Sequence, residues 1–135
     1  MSPVRWLFAP QADPTPRRTI LWWEVRRLPV NLVVGAYGVV CLAIFFWGLS
    51  GSGELKPGED AVEPLALLAA PIMFDVCYTL GWVVEALARR SHPDLPRWLG
   101  PLLMALGLAF SLAVVTMPAA FWGGYRCLQI VGGTE

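Results

Sequence analysis

Two carboxylates, Asp75 and Glu85, sit inside a stretch from Glu63 to Arg90 that is otherwise apolar enough to cross a bilayer. A carboxylate at the bilayer centre costs about 2.5–3.5 kcal/mol on insertion scales, and such a residue almost always faces the protein interior or water. The chemistry open to this pair is narrow. Ten residues on a helix are about 15 Å of rise, too far for joint acid and base work on one bond. An intramembrane aspartyl protease needs two aspartates meeting on adjacent helices, and the other apolar segments contain none. Two uses remain: proton or ion handling, and a polar contact buried between helices.

Angular position narrows the choice. Counting about 100° per residue from Asp75, Tyr78 falls near −60°, Thr79 near +40°, Glu85 near −80° and Arg89 near −40°. The polar residues therefore form one stripe, expected to be buried, which runs from mid-helix to the arginine-rich end. The opposite face, with Ile72, Val76, Val83 and Leu87, is apolar. Glu85 precedes Arg89 by four, the favourable order for an ion pair. No cation in a spanning segment stands at the depth of Asp75, so Asp75 is expected to be protonated or hydrogen-bonded, because desolvation disfavours its charge. Asn31 at the level of Glu85 and Ser111 at the level of Asp75 are the expected partners of the stripe. Gly35, Gly38 and Gly107 are the expected sites of close helix packing.

Other chemistries lack their residues. The single histidine, His92, lies in a loop, which argues against a haem ligand or a histidine base within the membrane. Cys41, Cys77 and Cys127 are irregularly spaced, without a CxxC or Cys/His cluster, so no metal site or disulfide framework is indicated. There is no Ser-His-Asp set, phosphate loop or dinucleotide fingerprint, and no cofactor is expected. A net charge of zero gives no bias toward nucleic acid.

The elements that must carry the stripe follow from composition. Of 135 residues, 56% are hydrophobic and 15% charged, against about 45–50% and roughly 25% in soluble domains. This predicts an all-α integral membrane protein, a three-transmembrane-helix bundle. The expected spans are 29–49, 64–88 and 99–122, each long enough for a hydrocarbon core of about 30 Å. Ahead of them, 1–18 is read as a flexible proline-rich arm, without a cleavable leader. A short amphipathic helix at 19–28 has two equal readings: an interfacial anchor with Trp22 and Trp23 at headgroup depth, or the cytoplasmic first turns of the next helix, kinked at Pro29. Residues 50–63 form an acidic loop, and 123–135 a short external tail.

Arginines set the orientation. Arg5, Arg17, Arg18, Arg26, Arg27, Arg89, Arg90 and Arg97 fall on one side, and Lys56 and Arg126 on the other. Eight against two predicts a cytoplasmic N-terminus and an external C-terminus. The Arg, Ala, Gly and Pro usage suggests a bacterial inner membrane. The functional expectation is a small non-catalytic accessory or interaction subunit, with the bilayer and other membrane subunits, or further copies of itself, as partners. The alternative is an oligomeric pore or proton-conducting element lined by Asp75 and Glu85.

Overall fold

The computed structural model describes residues 2–12, 15–50 and 64–133. These residues fold into four helices: α1 (Pro3–Leu7), α2 (Pro16–Ser50), α3 (Pro64–Ser91) and α4 (Leu99–Gly132). No strand occurs among them. Apart from Ser50, the acidic loop expected at 50–63 lies outside the described residues.

Three helices are long and apolar enough to cross a bilayer. They hold 35, 28 and 34 residues, rises of about 52, 42 and 51 Å. A hydrocarbon core needs about 30 Å, so each helix has length to spare. On α2 the charge-free run is Leu28–Ser50, which places the surplus at the arginine-rich end.

Three expected boundaries differ from the structure. Residues 19–28 and 29–49 are one helix, with Pro29 inside it. Proline removes one helical hydrogen bond. Here the flanking side chains are pinned by tertiary contacts, Arg26 on one side and the buried Val30 on the other. Pro71 and Pro118 are likewise internal to α3 and α4. α4 does not stop at Trp122 but runs on to Gly132, so the expected tail is mostly helical. Finally, 1–18 is not an unattached arm. Ser2 caps α1 by accepting from the Arg5 N–H at 3.3 Å, and the chain after it docks on α2.

The packing seam of α2 is continuous across Pro29. Its buried residues are Thr19, Trp23, Arg26, Val30, Val34, Cys41, Gly48 and Leu49. Spacings of four, three and seven keep one stripe facing its neighbours, as in a left-handed helix pair. Trp23, Val30, Val34, Tyr78 and Met104 form the apolar core where α2, α3 and α4 meet. α2 packs most extensively on α4. Their closest approach is at Gly48, where a Cβ would collide with the Trp122 carbonyl, and at Gly123, where a Cβ would stand 2.8 Å from Ile44 Cγ2. The expected packing glycines play little part. Nothing lies within 4 Å of a Cβ built on Gly35 or Gly107, and Gly38 meets Val115 at an ordinary 3.9 Å. A glycine marks a close approach when a neighbouring backbone actually arrives, and that happens nearer the far end of the bundle.

Candidate functional site

The polar side chains gather in two layers, one above the other on the α2–α3 side. The inner layer is built around Glu85. Its Oε1 accepts from the Gln11 amide at 2.9 Å and from Arg89 Nε at 2.8 Å, and its Oε2 accepts from Trp23 Nε1 at 2.6 Å. Gln11 in turn accepts from the Thr19 hydroxyl at 3.0 Å. The remaining Arg89 nitrogens donate to the Leu95 and Pro96 carbonyls, each at 3.2 Å. One guanidinium thus neutralises the carboxylate and ties down the turn that leads into α4. Gly100 roofs the site: a Cβ there would stand 2.7 Å from Glu85 Oε2 and 2.8 Å from Gln11 Nε2. Glu85 and Thr19 are fully buried, and they are the largest such side chains among the described residues.

The same layer holds the N-terminal segment. Arg26 donates to the Leu7 carbonyl at 2.9 Å, the Trp6 carbonyl at 2.8 Å and the Trp22 carbonyl at 3.0 Å. Its guanidinium lies over the rings of Trp6 and Trp22, 4.6 and 4.1 Å from their centroids. Such stacking contributes about 0.5–2 kcal/mol according to how far the pair is desolvated. Trp22 Nε1 donates to the Ala9 carbonyl at 3.0 Å. Together these contacts deliver Gln11 to Glu85.

The outer layer is built around Asp75. Arg27 reaches its Oδ2 at 3.1 Å and Asn31 its Oδ1 at 3.4 Å. The same guanidinium pairs with Glu24 at 2.7 Å and donates to Thr79 Oγ1 at 3.0 Å. Thr79 also donates to the Asp75 carbonyl at 2.9 Å. This layer is open, with the Asp75 and Glu24 side chains 43% and 40% exposed. Between the layers, the Tyr78 hydroxyl donates to the Trp23 carbonyl at 2.6 Å, and the two rings meet edge to face.

Set beside the expected buried stripe, Asp75, Tyr78, Thr79 and Glu85 each bond to α2 residues and the Glu85–Arg89 pair is present; Tyr78, Glu85 and Arg89 are buried, but Asp75 and Thr79 are only half-buried. The register is different. Asn31 stands beside Asp75, ten residues along α3 from Glu85, a displacement of about 15 Å. Asp75 does have a cation at its level, Arg27, because α2 runs inward past Pro29. Ser111 does not join the stripe; its hydroxyl donates to Gly107 O of its own helix at 2.8 Å. Both residues instead line an apolar cleft of about 350 Å³ between α3 and α4, with Phe74, Cys77, Tyr78 and Met104 among its walls. Gln11, Thr19, Trp23, Arg26, Arg27 and Gly100 were not anticipated as site residues. For four of them a signal existed: Thr19, Trp23 and Arg26 share the repeat of the α2 seam, and Arg27 lies four residues from Asn31. For Gln11 and Gly100 there is none.

No protein-family profile, characterised protein or solved structure matches this chain. Function rests on geometry. The two layers can fix helix register, anchor the N-terminal segment and present charge sideways. The inner layer holds a single carboxylate, the two of the outer layer are bridged by the Arg27 guanidinium, and no group of His, Cys, Asp or Glu suited to a metal occurs among the described residues.

Proposed function

We propose that the protein is a small, non-catalytic integral membrane protein and serves as an accessory subunit of a larger membrane assembly. The observation that carries the reading is an inverted burial pattern. Among the described residues the largest fully enclosed side chains are Glu85 and Thr19, while Leu80, Val84 and Leu87 on α3 and Leu102, Leu106 and Phe110 on α4 point outward. In water this arrangement exposes apolar surface and desolvates polar groups at once. In a bilayer it is the expected one. Trp6, Trp22 and Trp82 at one end and Trp47, Trp122 and Tyr125 at the other suit two interfacial belts. With the arginines at the first end, that end is cytoplasmic in a bacterial inner membrane.

The accessory role is supported by the closed state of the inner layer. Glu85 has three donors and no exposure, so it offers no path for a proton or an ion. The pore reading is weaker on this count, since only Asp75 of the two carboxylates meets the surface. Purification in mild detergent, with mass and stoichiometry measured together, tests the role. A complex in fixed ratio with a different membrane protein is expected. A symmetric homo-oligomer with Asp75 facing its axis contradicts it.

A further inference from the structure

We infer that the outer layer is a docking surface for a transmembrane helix of another chain carrying a lysine or arginine at the depth of Asp75. This deepens the accessory-subunit reading and rests on it. The first ground is charge. Asp75 and Glu24 share one guanidinium, that of Arg27. Two carboxylates against one cation leave one negative charge on the face. Arg26 is turned to the Trp6, Leu7 and Trp22 carbonyls, and Arg18 and Arg17 stand six and seven residues from Glu24, about 10 Å along the axis.

The second ground is incompleteness. The Asp75 and Glu24 carboxylates are 43% and 40% exposed and are met by one guanidinium between them. The inner layer, fifteen ångström or so away by helix rise, has every oxygen of its carboxylate engaged. The contrast lies within one pair of helices: one polar layer is finished internally and the other is left open on its flank. Charged groups at membrane depth ordinarily face protein or water.

The third ground is the surroundings. Leu28 and Leu32, next in sequence to Arg27 and Asn31 on α2, are exposed. A patch with a charged centre and an apolar margin fits a helix that is itself apolar save for one cation. A second copy of this chain fits poorly, since two such faces would bring like net charges together.

The full-length chain in phosphatidylcholine vesicles provides the test. The probes are two dansyl-labelled polyleucine transmembrane peptides, one with a single lysine in its end third and one without, read by energy transfer from the native tryptophans. The lysine peptide is expected to associate about five- to thirtyfold more tightly, the range that one membrane hydrogen bond supplies. Asp75→Asn and Glu24→Gln each neutralise the face and should remove that preference. Glu24→Gln is an exposed change that leaves the Asp75–Arg27 pair in place, so it carries the test if Asp75→Asn misfolds. Equal association of both peptides with the wild-type chain overturns the inference, as does a lysine preference that survives Glu24→Gln. Failure of the chain to float with the vesicles contradicts the membrane reading itself, and the inference with it.

Discussion

Gln11 and Glu85 are 74 residues apart in the chain, and the amide nitrogen of one donates to the carboxylate of the other at 2.9 Å. The bond joins a proline-rich N-terminal segment to the interior of a helix bundle. It also completes the coordination of a carboxylate that has no exposure at all. The inner end of the bundle is therefore a four-part structure, with the N-terminal segment as its fourth wall.

Removing Glu85 should be severe. Glu85→Ala leaves Arg89, 6% exposed, as an uncompensated buried charge, a loss of about 3–5 kcal/mol. Glu85→Gln keeps the shape and some of the hydrogen bonds and should cost less. The double change Glu85→Met with Arg89→Met should also cost less than Glu85→Ala alone, since it leaves no orphan charge. Reversible unfolding in mixed micelles ranks the three.

Gln11→Ala should destabilise by about 1–3 kcal/mol, the penalty for leaving a buried acceptor short of a donor. It should also loosen the N-terminal segment and hasten tryptic cleavage at Arg17 and Arg18. Unfolding and limited proteolysis on the same preparation check both outcomes.

Glycine positions that share a residue type should respond in opposite directions. Gly48→Ala forces apart the α2 and α4 backbones and should be destabilising. Gly35→Ala meets open space and should stabilise by up to about 1 kcal/mol through helix propensity. Thermal melts in detergent distinguish the two.

The Arg27–Asp75 pair should be modest in energy. Both side chains are partly exposed, 25% and 43%, so a cycle with Arg27→Gln and Asp75→Asn should return a coupling of about 0.5–1 kcal/mol. Ser111→Ala, which removes only a bond within one helix, should change stability by less than about 0.5 kcal/mol.

The long helices and the polar stripe were legible because they depend on local quantities: uncharged runs of sufficient length, and a 100° step that gathers Asp75, Tyr78, Glu85 and Arg89 on one side. The register between helices was not. Pro29 reads as a helix end when proline is considered alone, and stopping α2 there removes Arg27 from the bundle and shifts Asn31 to the level of Glu85. The repeat through Thr19, Trp23, Arg26, Val30 and Val34 contains the opposite information, since a seam that continues across a proline belongs to one helix. Gln11 could not be read at all. Its role depends on Arg26 and Trp22 fixing backbone carbonyls of residues 6–9, contacts with no periodicity to betray them. The glycines misled for a related reason: Gly35 and Gly38 satisfy a packing motif, but helix crossing chose Gly48 and Gly123.

The orientation of the bundle in a membrane is the most direct point of decision. It is settled by paired reporter fusions after Glu135, one active only outside the cytoplasm and one fluorescent only within it. Three crossings with the arginine-rich, polar-cored end inside predict an active external reporter and a dark internal one. A fluorescent internal reporter with an inactive external one would contradict the account.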